Sequence, residues 1–517
     1  MENLVGQFPR NLHYSIKQLS GLSKTTVKLT PDRTSCNKGD SIRVKLPPNT
    51  IVDLRTFAMY AKGTCTNTGN RLHFPRLTQS LIKNLSIFIN GTLVERISDY
   101  NLLYSKLYDI DGGGIDQLAK RHLEIADPSV RYSVAGEAIP AEIFAGATDA
   151  GGAETWRAGT PLVCTDGTGP SADTDRKLAI TSWIGFLSTL STPCPDLNDF
   201  GSMEIQIDFA DEKILFAASS TLNTAPTLSN PSWSLSDIYF TVSKIQFQDP
   251  LYYNMKASKL LSSGLQLGFQ TYIGSKGTSV AKTSAVNVQA TVNTTSLDQL
   301  ICFFNPEVPN INPLLLYNSN SVADSLTFQQ VLSGYDKNVV ADVDRATYVA
   351  QTANTTKIGE IVRVKGMYNA GVEHTSYGDA FNNSYFFKSD AIGLGSSSIE
   401  INNTPLHPSP LEDIQCYNET LISLGNLQQD MGSGVYPGLR SLSDYLKYFF
   451  VVACSLENIS NESSFYKSGL DGKSSALNIN WRVNFSITDT MKQTPYIFAK
   501  CTRIVQINEG NSVIVIV

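Results

Sequence analysis

Three stretches of this chain occur twice, in the same order. SIFINGT (86–92) returns as SIEINNT (398–404), GSMEIQIDFA (201–210) as ALNINWRVNFSI (476–487), and IYFTVSKIQF (238–247) as YIFAKCTRIVQI (496–507). Ordered matches over so long a span indicate one structural unit present twice. The two copies are placed at 25–250 and 263–517, after an N-terminal arm at 1–24 and around a linker at 251–262. The linker falls where DPLYYNMKASKLLS (249–262) carries a turn signal and then a short amphipathic run.

The repeated stretches also fix the class of structure. In SIRVKL (41–46), Ile42, Val44 and Leu46 alternate with Ser41, Arg43 and Lys45. MEIQIDF (203–209) alternates in the same way, and LNINWRVNFSI (477–487) puts Leu477, Ile479, Trp481, Val483, Phe485 and Ile487 on one face. A strict period of two over such lengths belongs to strands buried on one side, as in sandwiches and barrels. YFFVVACSL (448–456) is the richest apolar run and has the length of a buried strand, well short of the roughly 18–20 residues of a membrane span. A charged fraction of 17%, with 22 Tyr and 23 Phe, fits β-structure with polar, uncharged surfaces.

Helical periodicity is confined to a few segments. Tyr100, Leu103, Tyr104, Leu107 and Tyr108 recur at helical steps after a cap at Ser98 or Asp99, and Gly112 to Gly114 stop the helix. A second helix is expected from SPLEDIQCYNETLISLGN (409–426). There Ser409 and Glu412 form a capping box, Pro410 takes the first helical position, and Leu411, Ile414, Tyr417 and Leu421 form the apolar stripe. Stretches rich in Gly, Thr and Ala at 144–175, and the segment 335–395 ending in DAIGLGSSS, read as long loops.

The order strand–INGT–strand–helix, long loop, alternating strand, closing strand, performed twice, resembles the double jelly-roll major capsid proteins of tailless double-stranded DNA viruses. SLIKNLSIFINGTLVERISDYNLLYSKLYD (80–109) is especially similar to the first jelly roll of polinton-like viruses and virophages. The resemblance spans most of residues 40–507. It implies an all-β chain of two tandem eight-stranded jelly-roll sandwiches with short inserted helices and long loops. It further implies a self-assembling structural protein of the virion: homotrimers of pseudo-hexagonal outline that tile an icosahedral capsid. The implied partners are the chain itself, neighbouring trimers, penton proteins and minor capsid proteins. Contact with an internal membrane is left open. On this reading the protein is made and assembled inside the host cell, is not secreted and is not an enzyme. The alternative is a tandem β-sandwich glycan-binding spike or fibre protein, and after it a carbohydrate hydrolase.

The remaining sequence signals favour architecture over chemistry. With a net charge of −6 and no basic block, the chain is not one whose main work is to coat nucleic acid. MENLVGQFPR lacks the pattern of a secretory signal, so the eight cysteines, none in a CxxC pair, are expected to be reduced and mostly buried. The triplets at Asn90 and Asn402 are then chance rather than glycosylation sites.

DIDGGGIDQLAK (109–120) offers Asp109, Asp111 and Asp116 to a calcium ion, but the fifth and twelfth loop positions are Gly113 and Lys120. Gly472-Lys473-Ser474 ends like a phosphate loop, yet Lys467 stands where the first glycine belongs and a strand follows. The five histidines (13, 73, 122, 374 and 407) form no metal-binding spacing. Glu373-His374 and other acids leave a glycosidase pair to be found only in space. No catalytic, cofactor-binding or metal-ligating residue is therefore assigned, and no cofactor is expected. The C-terminal NSVIVIV (511–517) is too apolar to be left exposed and is expected to meet a neighbouring subunit rather than a strand of its own chain.

Overall fold

The computed structural model describes, with short interruptions and a few isolated positions besides, residues 22–66, 72–111, 172–217, 231–247, 264–306, 385–424, 445–457, 469–486 and 489–516. Besides short two-residue strands, the first half contributes eight longer ones: β1 (Leu22–Leu29), β2 (Ser41–Lys45), β3 (Ile51–Thr66), β4 (Ile82–Ile89), β5 (Thr92–Ile97), β6 (Ala172–Ile180), β7 (Met203–Phe209) and β8 (Ser232–Phe247). They form two antiparallel sheets in the orders β1-β8-β3-β6 and β2-β7-β4-β5. The second half repeats the set as β9 (Leu265–Lys276), β10 (Val286–Val292), β11 (Leu297–Pro306), β12 (Leu394–Ile401), β13 (Thr404–Pro405), β14 (Val451–Ser455), β15 (Leu477–Phe485) and β16 (Asp489–Asn508).

Its sheets run β9-β16-β11-β14 and β10-β15-β12-β13. Each strand of the second half thus takes the place of the strand eight before it, and both halves have jelly-roll connectivity. The chain is a double jelly roll.

The duplication reaches single hydrogen bonds. Asn90-Gly91 between β4 and β5 and Asn402-Asn403 between β12 and β13 all have positive φ (48°, 78°, 51° and 63°), the geometry of a two-residue hairpin turn that favours Asn and Gly. The Asn90 N–H donates to the Ser202 carbonyl at 2.7 Å, and the Asn402 N–H to that of Asn478 at 2.8 Å. In both halves the alternating strand lies in mid-sheet with its apolar face in the core. Ile205 and Ile207 of β7, and Ile479, Trp481 and Val483 of β15, are all buried. The Trp481 ring sits 4.9 Å from Phe304 and its indole N–H donates to Ser397 Oγ at 3.0 Å. Aromatic burial of this kind stabilises by about 1.5–3 kcal/mol per side chain.

The second roll departs from simple alternation in one sheet. All ten residues of β11 are buried. Leu300, Cys302 and Phe304 enter the core of the second sandwich, whereas Ile301 and Phe303 belong to a core continuous with the first. Val452 and Cys454 against Val451 and Ala453, and Ile497 and Ala499 against Tyr496 and Phe498, divide in the same manner. The β9-β16-β11-β14 sheet therefore has one face in each of two cores, and the unbroken apolar run VVAC (451–454) is the result.

Each roll carries a helix after its fifth strand: α1 (Tyr100–Asp111) and α2 (Asp413–Ser423). α1 was expected to show one apolar stripe, but Asn101, Leu102, Ser105 and Lys106 are buried along with Tyr100, Leu103 and Tyr104. Tyr100, Tyr104 and Tyr108 stack at 5.9 and 6.4 Å. The Lys106 ammonium donates to the Phe387 carbonyl and lies over the Phe303 ring, so α1 of the first roll is packed against the second.

α2 corrects the expected cap. Leu411 makes a bridge to Ser397, accepting at 2.8 Å and donating at 2.7 Å, which holds it extended and postpones the helix to Asp413. The N-cap is Glu412, boxed with Gln415, and Ser409 is exposed outside the helix. Ile414, assigned to the buried stripe, is 60% exposed, and the buried residues are Cys416 and Thr420. Glu412→Ala is expected to cost about 1 kcal/mol in a denaturant melt while Ser409→Ala changes nothing measurable; equal effects would refute the assignment.

Further expectations are revised or lie elsewhere. The 144–175 loop gives way at Ala172 to β6, which pairs with β3, and DAIGLGSSS belongs to the second sandwich, where Ala391 is fully buried and β12 begins at Leu394. NSVIVIV forms β17 (Ser512–Ile516), paired within the chain to β16 from Asn508↔Ser512 to Ile504↔Ile516. The N-terminal arm, placed at 1–24, ends sooner, since β1 begins at Leu22. Residues 1–21, 144–171 and 335–384, most of the linker and the glycines at 112–114 lie outside the described residues.

Candidate functional site

The two rolls meet at a junction held by hydrogen bonds and ring contacts. After β6 the backbone turns at Gly185 (φ 80°), where an added Cβ would stand 2.5 Å from Glu95 Oε1. The turn aims the Phe186 N–H at the Glu95 carboxylate of β5, at 2.9 and 3.2 Å to its two oxygens. The Phe186 ring meets Phe269 of β9 edge-on at 5.0 Å. The following residues pair with β9: Ser191 N–H donates to the Gly268 carbonyl at 2.8 Å, and Gln270 N–H to Thr189 Oγ1 at 2.9 Å.

Glu95 is buried, and desolvation pushes its carboxyl up to about 7, against the hydrogen bonds from Thr271 and Phe186 and the charge of Arg503, which pull it down. Arg503 is itself lowered by burial, and its Nε has no partner among the described residues. A cleft of about 290 Å³ opens beside this junction between Tyr104, Tyr108, Trp183, Tyr272, Gln299 and Lys500. The arrangement is a lock between sandwiches: Glu95 is enclosed and faces Thr271, Phe186 N–H and Arg503.

The sequence signals for chemistry resolve into structure. The Gly472 N–H donates to the Thr294 carbonyl at 2.9 Å, and a Cβ there would lie 2.8 Å from Leu477. Its backbone is committed to packing instead of cradling a phosphate. The side chains of Asp109 and Asp111, and residues 116, 373 and 374, lie outside the described residues. The seven described cysteines are free, six of them buried with Cys194 half-buried. Residue 164 lies outside.

Of the histidines, His73 is in a short strand paired with Phe216, and residues 13, 122 and 374 lie outside. His407 meets two residues that its sequence spacing does not reveal: Glu419 of α2 and Cys454 of β14, with donor atoms within 4.8 Å of one another. Sequence reading also missed the outward apolar residues. Ile414 and Ile422 (49%) project from α2, Leu93 from β5 and Ile514 (50%) from β17.

Comparison with known proteins agrees with this fold. The chain is similar to the Faustovirus major capsid protein, with TM-score 0.54 and 9% identity, over 98% of this chain and 94% of that one. It is also similar to the PBCV-1 virus capsid in a quasi-atomic model, with TM-score 0.51 and 12% identity, over 96% of each chain. No protein-family profile matches the sequence, and no curated protein matches it. At such identities the shared property is the double jelly-roll architecture across the whole chain.

Proposed function

We propose, from the premise that the chain is a double jelly roll, that it is a viral major capsid protein that self-associates as trimers tiling an icosahedral shell. The observation that carries this reading is the strand-for-strand duplication of one roll within a single chain. Two similar lobes in each of three subunits give six similar corners, and such an outline packs a surface with near-sixfold contacts. The extent of the likeness to capsid proteins, over nearly the entire length of both partners, supports the same reading.

The apolar residues left outward on α2, β5 and β17 suit a chain that buries further surface against its neighbours, since obligate interfaces are core-like and bury roughly 2,000–5,000 Å². In this role the shape is the function, no catalytic step is involved, and penton and minor capsid proteins are the further partners within the virion.

Native mass spectrometry with negative-stain imaging of the purified protein tests the proposal. The expected species has three times the 56.5 kDa mass of the chain and a hexagonal outline, alone or in shells. A protein that remains a monomer at high concentration overturns it.

A further inference from the structure

The two helices that follow the fifth strands are held very differently. α1 is wedged between the sandwiches and buried along most of its described side chains. α2 lies against β14 of the second roll, with Cys416 and Thr420 as its buried side chains and Ile414 and Ile422 outward. Its Thr420 Oγ1 accepts from the Ala453 N–H of β14 at 3.1 Å, and its Tyr417 ring lies 4.5 Å from Tyr445. Thr420 Oγ1 donates to the Val451 carbonyl at 2.6 Å, and Ser423 ties its carbonyl to Gln299 at 2.7 Å and its hydroxyl to Ser455 N–H at 2.9 Å.

Over the same stretch of β14 three donors converge. They are the Cys454 thiol, the Glu419 carboxylate from the middle of α2, and the His407 imidazole from the turn after β13, all within 4.8 Å of one another. Cys454 is 2% exposed, while His407 and Glu419 are half-buried, so the cluster is reached from solvent on one side. Apart from a 3.8 Å approach between His407 Nε2 and Glu419 Oε1, none of the three side chains has a hydrogen-bond partner among the described residues.

We propose that His407, Glu419 and Cys454 bind a zinc ion that staples α2 to the β14 edge of the second sandwich. One nitrogen, one sulfur and one oxygen ligand form a borderline-soft set that suits Zn²⁺ and not Ca²⁺ or Mg²⁺, which take oxygen ligands. Zinc bonds of about 2.0–2.3 Å require the donors to draw in by roughly 1 Å, within the reach of the His407 and Glu419 side chains. With three protein ligands, the fourth tetrahedral position is left to water on the exposed side. Binding releases the thiol proton of Cys454 to solvent, and no other bond changes. Because the ligands come from the β13 turn, from α2 and from β14, the ion joins three elements of the second sandwich. α1, already enclosed, has no need of one.

The test uses the purified full-length protein, stripped by a chelator and titrated with Co²⁺ as a spectroscopic stand-in. The proposal expects one Co²⁺ per chain, intense tetrahedral d–d absorption in the visible, a sulfur-to-cobalt charge-transfer band in the near ultraviolet, and loss of both on adding Zn²⁺. Cys454→Ser abolishes the charge-transfer band. His407→Ala and Glu419→Gln, at half-buried positions where folding is not at risk, weaken Co²⁺ binding by at least about tenfold. If Cys454→Ser does not fold, these two carry the test. A folded protein with no charge-transfer band, or one whose Co²⁺ affinity is unchanged by His407→Ala, overturns the proposal.

Discussion

Replacing Asp390 by alanine is expected to destabilise the chain by about 3–5 kcal/mol, enough to remove much of the stability of an ordinary domain. Asp390 Oδ1 accepts from the Lys282 ammonium at 2.6 Å, with both side chains buried. The ion pair joins the strand pair at Val280–Lys282 to the segment that enters β12, and the same oxygen accepts the Ile392 N–H at 2.9 Å. Without the carboxylate, Lys282 keeps, among the described residues, the Ile392 carbonyl at 3.4 Å and the Phe485 ring at 5.8 Å. The loss is that of a buried charge deprived of its partner, not the net worth of the pair.

The combination Lys282→Met with Asp390→Asn separates the two. It removes the charge, keeps an acceptor for Ile392, and is expected to recover most of the stability in a urea melt. A double variant as weak as Asp390→Ala would refute this explanation.

Glu95→Gln is expected to stabilise the protein at alkaline pH by up to about 3 kcal/mol and to change nothing near pH 4.5. The folded carboxyl titrates at about 7 against an ordinary value of 4.5, so the folded chain holds the proton more tightly than the unfolded one. Stability from the neutral carboxyl is therefore fully present below pH 4.5 and declines as pH rises, until it is lost above about 7. Glutamine stays neutral, retains an oxygen for the Phe186 N–H, and turns its amide toward the Thr271 hydroxyl. Arg503 loses a counter-charge in the exchange, which trims the gain. Urea melts of both proteins across this range should diverge with rising pH. Parallel stability curves would show that Glu95 is not titrating in the lock.

The strands were legible where one face met solvent. MEIQIDF and LNINWRVNF carry the period of two because their polar residues lie outside, and their duplication disclosed the order of the rolls. β11 has no such contrast, since both its faces are covered, and a continuous apolar run does not say which residue belongs to which core. The start of α2 was misread for a tertiary reason. Ser409 and Glu412 make a good local box, but the Leu411–Ser397 bridge decides the boundary.

The sequence shows α1 with a single apolar stripe because it does not disclose that a second lobe covers its other side, nor that Lys106 finds the Phe387 carbonyl there. The His407, Glu419 and Cys454 cluster was illegible in principle. Its members come from a turn, a helix and a strand, with no motif spacing to connect them.

A sheet with each face in a different core also has a mechanical consequence. Changing the angle between the lobes would strip Phe303, Tyr496 and Phe498 out of one core while Phe304 and Ile497 remain fixed in the other. The molecule therefore has no internal hinge at that sheet and behaves as a stiff tile. In a shell built as proposed, bending compliance resides in the seams between molecules, so curvature and facet size are written in the contacts among tiles and not in the tile itself.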